Sequence, residues 1–197
     1  MKLCVFTAIL ILCLAFTTQD LPVPPDQWNQ ETHLALARAL VGEVNFGNTR
    51  VALEEQAAIA FVLVHRWHVR QRLVNKNESF LQTVYAYTSA NKPHRRITNR
   101  IRWIQSLANP TLDGQILNPI PQPAYWPHTR QTWGNHAPGW VATYQMVGQW
   151  YLGNVRNMCP GASHWGGKTI DPPHGNMERV QCLRNFQNRF YKVKKRS

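Results

Sequence analysis

Acidic residues are scarce in this chain. Its 197 residues include 10 aspartates and glutamates against 22 lysines and arginines, and charged residues make up 16% of the total. Such a charged fraction is well below the usual quarter, yet 44% of the residues are hydrophobic, which excludes a disordered or collagen-like chain. The length suits one domain. Because carboxylates are so few, any acid–base chemistry has a short list of candidates.

Long apolar runs are also lacking after the first residues. Leu3–Phe16 is an apolar run that follows Lys2, but it is shorter than the roughly 20 residues that a membrane-spanning helix needs. This pattern is typical of a secretion signal, so we predict a signal peptide at residues 1–19, with an uncleaved membrane anchor as the alternative. We expect a secreted, periplasmic or cell-wall location and no stable membrane span after signal cleavage.

The excess of positive charge predicts polyanionic partners. The formal net charge is +12, and a strongly basic surface attracts polyanions. Because a leader for export argues against a nuclear or cytosolic nucleic-acid binder, we predict anionic cell-wall polymers and no nucleic acid as partners. The basic stretches are His94–Arg102 and Lys192–Arg196. Solvated basic faces that only keep the protein soluble are the alternative, and a secreted nucleic-acid binder is a more distant one.

Few cysteines remain once the leader is removed. Cys4 and Cys13 leave with the signal, whereas Cys159 and Cys182 form an even pair in a chain bound for an oxidising compartment. We therefore predict a disulfide between these two residues. They lack the close spacing that structural zinc sites prefer, and oxidation would remove them as ligands. We predict no metal and no cofactor.

The chain lacks internal repeats and any regular alternation of strands and helices, which favours a mainly α fold with long loops and allows a small β element. We predict an extended lead-in at residues 20–31, a domain at 32–193 and a basic tail at 194–197. The predicted helices are Thr32–Val44, Val51–Arg70, Phe80–Tyr87, Thr98–Leu107 and Trp140–Leu152. Asn109–Trp140 and Gly153–Asn176 are predicted loops, and Val180–Val193 is a short helix or strand.

Glu43 is the only acid in the apolar segment Leu34–Phe46. On a helix it shares one face with Leu36 and Leu40. A carboxyl group among apolar side chains keeps its proton more readily, and such a group can deliver that proton as a general acid. The alternative is a surface glutamate at a frayed helix end, and spacing alone leaves both readings open.

Two further glutamates, Glu54 and Glu55, fall near the start of the second predicted helix. Carboxylates in this position complement the positive end of the helix dipole. We expect both residues to have this ordinary structural role.

Four segments carry a resemblance to a known family. They are Ala39–Val44, Glu55–Arg66, Asn157–Trp165 and Asn185–Tyr191. Their order resembles that of the SleB-type cell-wall hydrolases, which have a GEA-like segment, a Gly-Gln-apolar helix ending in Asn-Arg, a Gly-Ala-x-x-aromatic segment and a terminal aromatic pair. In this chain Glu55 stands in place of the glycine and His65 in place of the asparagine. The spacer between Glu43 and Gln56 is longer, and the middle of the chain diverges.

The resemblance implies a lysozyme-like fold that cleaves the β-1,4 bond between N-acetylmuramic acid and N-acetylglucosamine in peptidoglycan glycan strands, with Glu43 as the catalytic acid. Most glycosidases use two carboxylates, and Asp113 and Asp171, both in predicted loops, are the spare acids for a hydrolytic muramidase. One acid suffices if the substrate's own 6-hydroxyl attacks the anomeric carbon, and the resemblance favours this lytic transglycosylase route. A non-catalytic cationic protein that binds the wall or a membrane is the rival hypothesis.

Aromatic and polar side chains near the predicted loops are our candidates for substrate binding. Flat rings with polar tips suit the faces of sugars. The candidates are Trp165, His164, Trp126, Tyr85, Tyr87 and Gln56.

Overall fold

A computed structural model describes residues 22–74, 76–88, 98–167 and 175–194. The predicted signal peptide, Asp171 and parts of both basic stretches lie outside the described residues. The helices are α1 (Gln30–Val44), α2 (Arg50–Leu73), α3 (Phe80–Tyr87), α4 (Asn99–Gln105) and α5 (Arg130–Tyr151). The strands are β1 (Thr111–Leu112), β2 (Gln115–Ile116), β3 (His164–Gly167), β4 (Met177–Arg179) and β5 (Asn188–Val193). The predicted mainly α architecture with a small β element is confirmed.

The start of the domain differs from the prediction of an extended lead-in. A short 3₁₀ helix covers Pro25–Gln27, and proline is suited to the first position of a helix because its φ is already fixed. Val23 is completely buried, so this segment is part of the core. Helix α1 begins at Gln30, because the side chain of Asn29 accepts a hydrogen bond from the Thr32 amide at 2.8 Å.

Helix α1 packs against the four other helices and, with α2, forms the centre of the domain. Leu36, Leu40 and Ile59 are fully buried between these elements, as are Trp140 and Trp150. Several apolar side chains of this size, each worth about 1.5–3 kcal/mol on burial, hold the helix bundle together. The core therefore fixes the end of α1 that carries Glu43.

Helix α5 begins ten positions before the predicted start at Trp140, and Pro138 lies inside it. The prediction of a loop over this stretch is wrong because burial outweighs the cost of the proline. An interior proline costs about 3 kcal/mol, but the helix buries Trp133, Ala137 and Trp140 on one face at the expected spacing. The Trp133 indole also donates to the Ile120 carbonyl at 3.1 Å.

A three-stranded antiparallel sheet, in the order β3-β5-β4, closes the domain. It places Trp165 opposite Phe190 and Gly167 opposite Asn188. The predicted loop Gly153–Asn176 thus contains a strand, and the closing element is β5. The predicted disulfide between Cys159 and Cys182 is confirmed. Within the described ranges, no helix is long and apolar enough to cross a membrane.

Candidate functional site

Glu43 lies in the last turn of α1, where the helix meets the sheet. Its side chain is half-buried, and its Oε2 accepts a hydrogen bond from the Trp165 indole Nε1 at 3.2 Å. The helix end is closed by the Asn45 amide, which donates to the Val41 carbonyl at 2.9 Å. These contacts contradict a frayed helix end with an exposed glutamate.

Asn45 adopts a backbone conformation that favours glycine. Its φ is 91° and its ψ is −173°, a combination that costs other residues about 1–3 kcal/mol. Two hydrogen bonds hold it in this conformation. Its carbonyl accepts one from the Gln56 Nε2 at 2.6 Å, and its side-chain Oδ1 accepts the other from the Arg100 Nη2 at 2.8 Å. The chain therefore leaves α1 after Val44, one residue beyond Glu43, in a fixed direction.

Gly139 lets α5 approach this same loop closely. The Gly47 amide donates to the Gly139 carbonyl at 3.2 Å and to the Thr143 hydroxyl at 3.0 Å. A Cβ atom at position 139 would overlap the side chain of Asn48. A side chain at this position would therefore displace Asn48, and the loop after Glu43 is attached to α5 through its backbone.

Arg66 fixes the orientation of Trp165. Its guanidinium group lies 4.3 Å from the ring centre of Tyr87 and 5.3 Å from that of Trp165, while its Nε donates to the Ser163 carbonyl at 3.0 Å. Burial lowers the pKa of Arg66, although the contact with Tyr87 opposes this effect. A guanidinium group nevertheless keeps its charge in proteins. The positive charge between two aromatic faces is a cation–π arrangement, which places the indole that bonds to Glu43.

Glu55 is a second carboxylate close to this site, and it is almost completely buried, with 1% of its surface exposed. It accepts hydrogen bonds from the backbone amides of Gln187 at 2.9 Å and Asn188 at 2.7 Å. The Asn188 Nδ2 also donates to Glu55 at 2.8 Å and to the Glu43 carbonyl at 3.3 Å. Glu55 therefore anchors the start of β5 and, through Asn188, connects it to the end of α1.

The expectation that Glu54 and Glu55 complement the dipole of α2 is wrong. The helix begins at Arg50, so neither residue lies in its first turn. Glu54 pairs with Arg50 at 2.8 Å and with Arg184 at 3.2 Å. The signal that reveals Glu55 is its position on the same helical stripe as the buried residues Ala58, Ile59 and Val62.

An aromatic cluster surrounds Phe46, three residues after Glu43. Its members are Phe46, Trp103, Trp126, Trp133 and His136, and every ring centre lies within 6.1 Å of that of Phe46. Trp126 is half-buried in this cluster, and its indole donates to the Thr132 hydroxyl at 3.2 Å. The structure therefore places Trp126 near the end of α1, but packed within the cluster.

The structure brings most of the other predicted substrate-binding residues to the end of α1. Trp165 contacts Glu43, Tyr87 reaches Trp165 through Arg66, and Gln56 holds Asn45. His164 precedes Trp165 on β3, and its half-buried ring shares a 2.9 Å hydrogen bond with the Ser163 hydroxyl.

Tyr85 does not belong to this group. Its hydroxyl lies 3.5 Å from Glu31 in the first turn of α1, and burial, followed by the charge of Glu31, raises the pKa of Tyr85. Because a helix rises by about 1.5 Å per residue, Glu31 and Glu43 are about 18 Å apart along α1. Tyr85 and Tyr87 are two positions apart on α3, so they face different directions.

Asp113, one of the two spare acids, is also remote from Glu43. It lies in the turn between β1 and β2 and lines a cavity of about 560 Å³ together with Asn29, Gln30 and His33. These three residues mark the beginning of α1, and His33 is about 15 Å from Glu43 along the helix axis. The paired carboxylates of glycosidases are about 5–9.5 Å apart.

The described side chains offer no obvious place for a metal. Across residues 22–74, 76–88, 98–167 and 175–194 there is no group of three histidine, cysteine or acidic side chains that would hold an ion. Cys159 and Cys182 are bonded to each other, so neither is available as a ligand.

Comparisons of the chain with protein-family models, with curated proteins and with solved structures find no match. We therefore infer a function from the chemistry of the Glu43 site.

Proposed function

We propose that the protein is an exported glycosidase with a lysozyme-like fold that cleaves the β-1,4 bond between N-acetylmuramic acid and N-acetylglucosamine in peptidoglycan. Glu43 is its general acid and base. The observation that carries the proposal is the half-buried carboxyl group of Glu43, which Trp165 holds at the junction of α1 and the sheet. The resemblance to the SleB-type hydrolases, whose catalytic glutamate aligns with Glu43, supplies the substrate class.

The contact with Trp165 suits a group that gives and takes a proton. An indole N–H can only donate a hydrogen bond, so it orients the carboxyl group without removing its proton. It also stabilises the carboxylate that remains after the proton has been transferred, since hydrogen bonds to charged acceptors are the stronger ones. Trp165 is a positioning residue in this scheme.

The reaction proceeds in two proton transfers. Glu43 protonates the oxygen of the glycosidic bond, and the bond between this oxygen and the anomeric carbon breaks. The 6-hydroxyl of the muramic acid then attacks the anomeric carbon and returns its proton to Glu43. The products are a free N-acetylglucosamine hydroxyl and a 1,6-anhydromuramyl end, and no water is consumed.

Among the residues that the structure describes, the surroundings of Glu43 support a mechanism with one acid. Asn188 links Glu43 to another carboxylate, Glu55, through hydrogen bonds. Glu55 is buried, however, and already accepts hydrogen bonds from three N–H donors. Asp113 lies at the opposite end of α1. A hydrolytic muramidase would need Asp171, which lies outside the described residues, to position a water molecule.

The test is the clearing of purified peptidoglycan by residues 20–197 and by its Glu43→Gln variant. We expect the variant to lose at least about a hundredfold in rate, as is typical when general acid–base catalysis is removed. Glu31→Gln, an exposed acid on the same helix, is the matched control and should retain the activity. Equal clearing by wild type and Glu43→Gln would refute the proposal.

Mass spectrometry of the released fragments separates the two mechanisms. Anhydro ends lack one water relative to the reducing ends that hydrolysis leaves, so their presence supports the transglycosylase and their absence the muramidase. The rival hypothesis of a non-catalytic cationic protein predicts no new ends of either kind.

A further inference from the structure

A cavity of about 600 Å³ lies next to Asn188 in the segment that connects β4 with β5. The described residues that line it all fall between positions 179 and 190. They include Arg179, Arg184 and Arg189 but no aspartate or glutamate. We call this cavity the arginine pocket. Three arginines that line one concave surface distinguish it from a scattered basic face.

Among the described residues, the positive charge of the arginine pocket exceeds the negative charge near it. Arg184 pairs with Glu54 at 3.2 Å, but Glu54 is shared with Arg50. Arg179 is exposed and forms no ion pair with the residues that the structure describes. Glu55 adds one buried negative charge next to Asn188, where three uncharged N–H donors stabilise it. A concave site with excess positive charge attracts anions, and guanidinium groups match the planar edges of carboxylates and phosphates.

The pocket is built into the fold, so an anion would meet preplaced groups. Cys182, one of its lining residues, is joined by the disulfide to Cys159, which is 1% exposed. The next residue, Leu183, donates its amide to the Met158 carbonyl at 2.9 Å. Binding sites that are held in place before the ligand arrives lose less entropy on binding.

Asn188 connects the arginine pocket with the Glu43 site. It lines the pocket, and its side chain donates to the Glu43 carbonyl at 3.3 Å. It also pairs with Gly167 across the sheet, two residues from Trp165. Asn188 therefore contributes both to the wall of the pocket and to a contact with the end of α1.

We propose that the arginine pocket binds an oxyanion carried by the wall polymer whose glycan occupies the Glu43 site. The oxyanion is a carboxylate of the peptide stem or a phosphate of an attached anionic polymer. This inference rests on the proposed function, since it names a second recognised part of the same substrate. The pocket gives the enzyme affinity for the charged substituents, and Glu43 supplies the chemistry on the sugar.

The experiment measures binding apart from cleavage. The Glu43→Gln protein is mixed with purified peptidoglycan sacculi, and the bound fraction is determined by sedimentation. The further substitutions Arg179→Gln and Arg184→Gln in this protein should weaken its binding to the sacculi about tenfold. The loss of one charge-assisted hydrogen bond is enough for a change of this size. The matched control adds Arg72→Gln and Arg156→Gln, which remove the same charge from exposed residues that do not line the pocket. The control should lose at most about twofold, as expected for screened surface charges.

Two treated forms of the sacculi distinguish the sources of the oxyanion. Removal of phosphate polymers with acid abolishes the difference between pocket and control variants if phosphate is the ligand. Amidation of the peptide carboxylates abolishes it if carboxylate is the ligand. Equal weakening of pocket and control variants on untreated sacculi, or no weakening of either, would overturn the inference.

A second measurement guards against misfolding of the variants. Titration of the wild-type protein with inorganic phosphate or with N-acetylmuramoyl-L-alanyl-D-glutamate should shift the NMR signals of the pocket arginines, and the uncharged diamide of the glycopeptide should not. Signals that stay unchanged with both anions contradict the pocket. If the wild-type protein releases no glycan fragments while pocket-dependent binding persists, the proposed function fails and the pocket stands.

Discussion

The conformation of Asn45 makes a sharp prediction about two substitutions at one position. Alanine is normally more stabilising than glycine by about 0.5–1 kcal/mol, because glycine loses more freedom on folding. At a φ of 91° and a ψ of −173° this order should reverse, since alanine retains backbone strain of about 1–3 kcal/mol that glycine lacks. Both substitutions remove the hydrogen bond from Arg100 to the Asn45 side chain. This loss therefore cancels when the free energies of unfolding of the two variants are compared. We expect Asn45→Gly to be more stable than Asn45→Ala by about 1–2 kcal/mol.

Urea unfolding of the two variants measures the difference directly. The exposed residue Gln145, within α5, is the reference site, where Gln145→Ala should be more stable than Gln145→Gly by about 1 kcal/mol. Activity adds a second readout: both Asn45 variants lose the Arg100 contact beside Glu43, so kcat should fall in both, whichever is the more stable. An alanine variant as stable as the glycine variant would show that the strain at position 45 does not exist.

Three further substitutions test other contacts of the site. Trp165→Phe keeps an aromatic ring but removes the N–H that bonds to Glu43, so kcat should fall about tenfold, and an unchanged kcat would contradict the positioning role. Glu55→Gln leaves buried N–H donors facing an amide and should lower the free energy of unfolding by about 1–3 kcal/mol, whereas the exposed Glu178→Gln should change it by less than about 1 kcal/mol. Cys182→Ser should cost about 3 kcal/mol by the chain-entropy model, and a reductant should remove most of the difference from the wild type.

The parts of the fold that the sequence predicts are those set by local patterns. The apolar periodicity around Leu36 and Leu40 is enough to place α1, and an even pair of cysteines is enough to predict the bridge between Cys159 and Cys182. The same periodicity brings Glu43 to the end of its helix. These features depend on neighbours in the chain, so they can be recognised without knowing the tertiary structure.

The parts that the sequence does not predict depend on distant contacts. The start of α5 is missed because the cost of Pro138 is visible in the sequence, but the burial of Trp133 and Ala137 is not. In the sequence, Glu55 has the pattern of an ordinary helical acid. Its role depends on the backbone amides at the start of β5, which are distant in the chain. The strain at Asn45 likewise exists only because Gln56 and Arg100, from two other helices, hold it.

The close approach of α5 at Gly139 has a mechanical consequence. One backbone hydrogen bond, from Gly47 to Gly139, joins the loop after Glu43 to a helix of 22 residues, so we expect α1, this loop and α5 to move together. Among the described residues, the sheet contacts Glu43 through the side chains of Trp165 and Asn188. We therefore expect that binding of a bulkier glycan strand displaces the sheet, while Glu43 stays in place.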